Sequence, residues 1–168
     1  WKRRPGIQIP DPAFRKTVNF AYAQYFVIDI DHIGSKGLII DDIKAKITAD
    51  PRTMLCFISP GEDGLKVIMK FKEKCYDPGV YSVFYKKFVC DFSSQYCLQQ
   101  VIDAKTSDVT RACFMSVDRD VYYNPYCETI DMGEVVNLAD SSELLRQKKE
   151  VDKMVQPLIV ESAPEEEP

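Results

Sequence analysis

The chain switches between two hydrophobic periods, and the switches mark out its elements. Residues 25–31, YFVIDID, are aromatic and β-branched and end in polar residues, which predicts a strand. Gly34 and Gly37 mark a turn. Leu38, Ile39, Ile43 and Ile47 recur at helical spacing, so a helix is expected over 38–49. Asp50-Pro51 ends it, because the residue before a proline avoids the helical region. Residues 53–59, TMLCFIS, and 65–71, LKVIMKF, read as strands joined through SPGEDG, a hairpin with a longer loop. Asp77-Pro78 supplies an N-cap and first turn for a helix of about twenty residues. Its inward positions include Val80, Val83, Phe84, Phe88 and Phe92. A short extended piece, a polar loop from Lys105 to Asp108 and a fourth strand, RACFMSV, follow over 101–117. A tyrosine-rich loop at 118–127 and a peripheral helix at 141–154 complete the pattern.

This order, β-α-β-β-α-β, predicts an α+β fold of the ferredoxin-like or RRM-like kind. The first and third strands are expected side by side at the centre, with the fourth flanking the first and both helices on one face. Side chains alternate along a strand, so Ile28 and Ile30 turn toward the helices while Asp29 and Asp31 stand on the open face. Lys66 falls beside them on the third strand, and Asp108 and Arg111 open the fourth. Carboxylates gathered this closely raise one another's pKa, and a divalent cation relieves the repulsion. Magnesium and manganese take one or two carboxylates together with phosphate oxygens, and neighbouring lysine and arginine neutralise the remaining phosphate charge. A metal pair of this kind activates an attacking hydroxyl and stabilises a leaving pyrophosphate. The plainer alternative is that Asp29 and Asp31 end a strand in a solvated turn, since a D-x-D alone is weakly specific.

Composition narrows the classes. At 168 residues the chain fits one domain, expected over 1–156, with an acidic, proline-rich linker or tail over 157–168. The opening WKRRPG does not resemble a natural start, so the chain reads as a piece of something longer. No apolar run is long enough to cross a membrane, and no signal peptide opens the chain. The six cysteines contain no C-x-x-C pair, and together with one histidine they argue for reduced, mostly buried thiols in a cytoplasmic protein rather than a zinc site. A net charge of −4 argues against a sequence-independent coat on nucleic acid. It leaves room for a local basic groove from Lys70, Lys72, Lys74, Lys86, Lys87 and Arg111, although a solvated face is the default. His32 falls opposite the aspartates by strand parity, and Tyr122, Tyr123 and Tyr126 are expected to pack back on the core rather than stack on bases. No phosphate-binding lysine loop, G-x-S-x-G or H-E-x-x-H motif is present.

Three blocks taken together, VIDIDHI, SPGEDGLKVIMKF and DAKTSDVTRACFMSVDRDVYYNP, resemble the primase-polymerase domains of the archaeo-eukaryotic primase superfamily. The similarity covers roughly residues 20 to 127 and is nearest to the primase-like domain at the N-terminus of VirE-type proteins and to CRISPR-associated primase-polymerases. The resemblance implies that Asp29, Asp31 and Asp108 are catalytic and hold Mg2+ or Mn2+. It implies that Ser59, Gly61 and Gly64 contact the incoming nucleotide, with Lys66 where the family usually has a histidine, and that Arg111 lies near the phosphates or base. Asp118 and Asn124 match the subgroup's own loop and would reach the sugar, or else simply form turns. The implied activity is template-directed primer synthesis and extension from nucleoside triphosphates on single-stranded DNA, a nucleotidyltransferase working beside a helicase or other domain of the same full-length chain. Family members carry more sequence before the first motif, so part of the template-binding module is expected to be missing or reduced. Two other classes stay open: a nucleotide cyclase or non-templated oligonucleotide synthase on the same scaffold, and a non-catalytic RRM-like nucleic-acid-binding module.

Overall fold

The computed structural model describes residues 20–104, 107–138 and 140–161. The opening WKRRPG, Lys105 and Thr106 of the polar loop, and the last seven residues of the tail lie outside them.

Strand β1 spans Ala23–Ile30, helix α1 Ile40–Thr48, strand β2 Thr53–Ile58, strand β3 Leu65–Cys75 and helix α2 Pro78–Tyr96. A two-residue strand β4, Tyr122–Tyr123, a single turn α3, Met132–Val135, and helix α4, Ser141–Glu161, complete the chain. The sheet order is β1-β3-β2-β4, and every neighbouring pair is antiparallel. The architecture is therefore α+β, with a four-stranded antiparallel sheet and helices packed against it.

Alternation along the strands decides the two faces. Phe26, Ile28 and Ile30 of β1 and Leu65, Val67, Met69 and Phe71 of β3 are buried in the core with Ile43 and Ile47 of α1 and with Val83, Phe84, Phe88 and Phe92 of α2. Val80 is only partly buried, and Tyr81, Tyr85 and Val89 join the buried set. Phe26, Phe71, Phe84 and Phe88 form an edge-on cluster, with Phe71 to Phe84 at 4.9 Å, Phe26 to Phe88 at 5.1 Å and Phe26 to Phe84 at 5.2 Å between ring centroids. Each such pair adds roughly 0.5–1.5 kcal/mol beyond simple burial.

Helix α2 starts where expected. The Asp77 carboxylate accepts from the Gly79 N–H at 2.7 Å and the Val80 N–H at 3.0 Å, with Pro78 in the first turn. It ends at Cys97, which takes the left-handed conformation at φ 57° usually left to glycine. Helix α4 packs on α2, where Lys86 meets Asp152 at 2.5 Å. It runs through Pro157 to Glu161, so residues 157–161 are helical and not the linker expected from composition.

One strand differs from expectation. RACFMSV forms no strand; Arg111 to Val117 are irregular and mostly exposed. The free edge of β1 is taken instead by residues 101–103: the Asp31 N–H donates to the Val101 carbonyl at 2.7 Å, the Asp103 N–H donates to the Asp29 carbonyl at 2.8 Å, and Ile30 bridges Ile102. The fourth strand of the sheet is Tyr122–Tyr123 and lies on β2, not beside β1. Residues 111–117 run from the β1 side toward β2, where the Ser116 hydroxyl donates to the Ile58 carbonyl. Phe57, on the face away from the helices, is only 1% exposed although it lies outside the main core cluster.

Candidate active site

Alternation on β1 puts Tyr25, Val27 and Asp29 on the face away from the helices, as read from the sequence. Asp29 is directly opposite Lys66 in the β1–β3 register. Their side chains meet at 2.5 Å with only 10% and 11% of their surfaces exposed. This is a nearly buried ion pair, built from strand parity alone. Its removal from water is tolerable because each charge has the other as its partner.

Asp31 lies one step beyond the strand. Burial raises its carboxyl pKa above the ordinary 3.8; the neighbouring charges of Asp29 and Asp103 raise it further, while Lys66 and His32 only partly offset them. Asp31 thus sits in negative potential that Lys66 does not neutralise. A carboxyl raised in this way opposes folding once ionised. The folded state holds its proton more tightly, so stability falls as pH rises from about 4 through the folded-state value. Asp31→Asn is therefore expected to melt a few degrees above the native chain at neutral pH and to lose that advantage below about pH 4, as thermal melts across pH will read. An advantage independent of pH would contradict this account.

The β2–β3 loop is docked onto the same spot. The Asp63 carboxylate accepts from the Gly34 N–H and the Ser35 hydroxyl, each at 2.6 Å, fastening the loop to the turn after β1. Gly64 is required by packing: a Cβ there would lie 2.4 Å from the Ile30 carbonyl oxygen and 3.1 Å from both Asp31 Oδ1 and Ser59 Oγ. Ser59 and Asp31 therefore both crowd the space beside Gly64. Gly61, by contrast, has open space where a side chain would stand. His32 is exposed, lies past the end of β1 and takes a left-handed φ of 60°, so strand parity no longer governs it.

Asp29, Lys66, Asp108 and Arg111 line one cavity of about 100 Å³ with Tyr25 and Cys113. That is smaller than the roughly 300–1,000 Å³ of pockets that enclose a whole ligand, and its size suits a phosphate-sized group. Burial raises the Cys113 thiol pKa, with Lys66 opposing that rise. The expected third carboxylate is used differently. Asp108 Oδ1 accepts from the N–H and the hydroxyl of Thr110, both at 2.9 Å, capping its own turn. The acidic neighbours that Asp31 senses are Asp29 and Asp103. Arg111 reaches Asp103 at 3.3 Å. Among the described residues, no three His, Cys, Asp or Glu side chains stand close enough together to hold a metal ion.

Two predicted residues lie elsewhere. The Asp118 carboxylate accepts from Lys44 at 2.9 Å, from the Ile58 N–H at 2.9 Å and, through its other oxygen, from the Asp120 N–H at 2.9 Å. Burial raises its pKa, but these three bonds outweigh it and hold the carboxyl below its ordinary value. Asp118 is thus a positioning residue that pins the end of the 111–118 segment to β2. Asn124 is a turn former: its side chain accepts from the Tyr126 N–H at 3.0 Å, and its own N–H pairs with Met54. It follows β4, three strand spacings or about 14 Å from β1. Tyr122 packs partly against the core, whereas Tyr123 and Tyr126 are 62% and 92% exposed, contrary to the expectation for that loop.

Sequence reasoning missed Asp103. The signal was present in Val101-Ile102-Asp103, which repeats the pattern ending β1 at Val27-Ile28-Asp29. The missed cysteine neighbour, Cys113, carried no local signal. Among the described residues no helix is long and apolar enough to cross a membrane. No curated protein and no solved structure matches the chain. The family model described as BT4734-like, N-terminal domain, matches residues 13–123, and the chain belongs to that family.

Proposed function

We propose that this domain is a metal-dependent nucleotidyltransferase that extends or starts a strand on a single-stranded DNA template, using nucleoside triphosphates. The observation that carries the reading is the meeting of Asp29, Asp31, Lys66 and the Ser59–Gly64 loop on one patch, supplied by two segments, 29–31 and 59–66, far apart in sequence. Asp29 and Asp31 fit a divalent cation, because Asp31 is held in uncompensated negative potential and magnesium or manganese needs only one or two carboxylates besides phosphate oxygens. Asp108 lines the same cavity but spends Oδ1 on its own turn, and among the described residues it completes no three-acid cluster with the other two. A bound divalent cation would supply charge stabilisation at the transferring phosphate. Lys66 and Arg111 bind and orient phosphate oxygens lining the cavity, Lys66 as a point charge and Arg111 through its planar fork. Ser59 and the backbone beside Gly64 hold the nucleotide against Asp31. The order β1-β3-β2 with α1 and α2 on one face supports the ferredoxin-like reading of the core, with 101–103 rather than 111–117 at the β1 edge. A helicase or other domain in the same full-length chain, and a cytoplasmic setting, belong to the same proposal.

A second reading, a non-catalytic nucleic-acid-binding module, is favoured by two facts: Asp29 is already neutralised by Lys66, and no three-acid cluster is assembled among the described residues. Labelled triphosphate, magnesium or manganese, and a single-stranded template decide between the readings. Template-dependent incorporation is the expected result. Triphosphate turnover without template, to a cyclic product or an untemplated oligonucleotide, would indicate a cyclase or non-templated synthase, and no turnover under either metal would leave the binding module.

A further inference from the structure

The open face of β3 carries lysine at almost every outward position. Lys66 and Lys70 share it with Ile68 between them, and past the irregularity in the β1–β3 register Lys72, Glu73 and Lys74 are all exposed. The stripe runs about 26 Å from the cavity to the end of the strand. Lys66 is committed to Asp29 and Lys72 to Asp131 at 3.0 Å. Among the described residues Lys70 and Lys74 have no carboxylate in ion-pairing range. Beside them stand exposed aromatic rings. Tyr25 pairs with Lys70 across the strands and is 48% exposed; Tyr22 and Tyr76 are 47% and 67% exposed, with ring centroids 5.9 Å apart. Lys74 Nζ lies 3.9 Å above the Tyr22 ring. A chain of net charge −4 has thus gathered lysines without carboxylate partners and half-exposed tyrosines along β3 and its flank, leading to the cavity.

We infer that this strip is a track for single-stranded nucleic acid, with Lys70 and Lys74 on the phosphates and Tyr22, Tyr25 and Tyr76 stacking on bases. The inference rests on the nucleotidyl-transfer reading for its direction, since the track delivers a strand to the Asp29–Lys66 cavity. Alternating cations and rings match a polymer that offers phosphates and flat faces in turn. An acidic protein would use the lysines and leave the tyrosines idle.

Fluorescence anisotropy with a short labelled single-stranded oligonucleotide tests it, using the full chain and the variants Lys70→Glu/Lys74→Glu and Tyr22→Ala/Tyr76→Ala. Circular dichroism melts check that these substitutions, at exposed positions apart from the half-buried Lys70, leave the fold intact. The lysine pair is expected to weaken binding at least tenfold and to flatten its decline between about 50 and 200 mM salt. The tyrosine pair should weaken it at least fivefold with the salt slope unchanged. A sulfated polysaccharide serves as a polyanion without bases, and its binding should ignore the tyrosines. Unchanged oligonucleotide affinity in both variants overturns the track, as does loss through the lysines alone with equal loss for the polysaccharide. Triphosphate incorporation measured in parallel separates the two ideas: activity without oligonucleotide dependence on the strip sinks the track alone, whereas binding along the strip without any incorporation sinks the catalytic reading alone.

Discussion

Replacing Asp29 with alanine is expected to lower the stability of the chain by about 3 kcal/mol and to abolish nucleotide incorporation. The stability loss comes from Lys66, not from a missing contact. With Asp29 gone, a cation whose side chain is 11% exposed is left without its counter-charge. Breaking a buried pair on one side typically costs about 3–5 kcal/mol, and the remaining exposure places this case at the lower end. Lys66→Met should cost less than Asp29→Ala, since a methionine fills the space without leaving a charge behind. The double substitution Asp29→Ala/Lys66→Met should recover most of the loss, a coupling that urea unfolding of the four proteins will read. Additive losses would mean that the pair is solvated and the patch is not a desolvated site. Asp29→Asn keeps an acceptor for Lys66 and so is the variant for activity measurements.

Asp50→Ala should cost about 2–3 kcal/mol at neutral pH, for a structural reason remote from the site. The Asp50 side chain, 2% exposed, takes Arg52 Nε at 2.9 Å, Arg52 Nη2 at 2.6 Å and the Tyr96 hydroxyl at 2.8 Å. It thereby ties the end of α1, the start of β2 and the end of α2 together. Arg52 is 30% exposed, which trims the penalty below that of a fully buried pair. Burial raises the Asp50 carboxyl, but the Arg52 side chain and backbone and Tyr96 outweigh it and hold the group below its ordinary 3.8. A folded-state value lowered in this way gives stability that is complete above about pH 4 and is lost as pH falls through the folded value. The gap between native and Asp50→Ala proteins should therefore narrow on acidification. A gap that stays constant into strong acid would show that the carboxylate is not what joins the three elements.

The sequence was legible where a period could be counted. β1, α1, β2, β3 and the start of α2 lie within a few residues of their expected bounds, because alternation, helical spacing and the Asp77-Pro78 cap are local signals. The same alternation placed Asp29 and Lys66 on one face, and the register then brought them into contact. What failed depended on which strand would take a free edge. RACFMSV has strand-like composition, but Val101-Ile102-Asp103 reaches the β1 edge first, and an alternating segment without a partner edge forms no ladder. Asp118 stayed open between two readings for a related reason. Its type suits a turn or a ligand equally, and only the approach of Lys44 and the Ile58 N–H, 74 and 60 residues away, settles that its oxygens are occupied. Asp108 follows the same logic at short range, since Thr110 two residues on captures its carboxylate.

The most direct measurement compares the native chain with Asp31→Asn for incorporation of a labelled nucleoside triphosphate on a single-stranded template in manganese. Asp31→Asn is chosen because it removes a charge that strains the fold, so a folded and even more heat-resistant protein should result. The account predicts robust incorporation by the native chain and at least a hundredfold less by the variant, with its melting temperature equal or higher. Undiminished incorporation by a folded Asp31→Asn protein would contradict it.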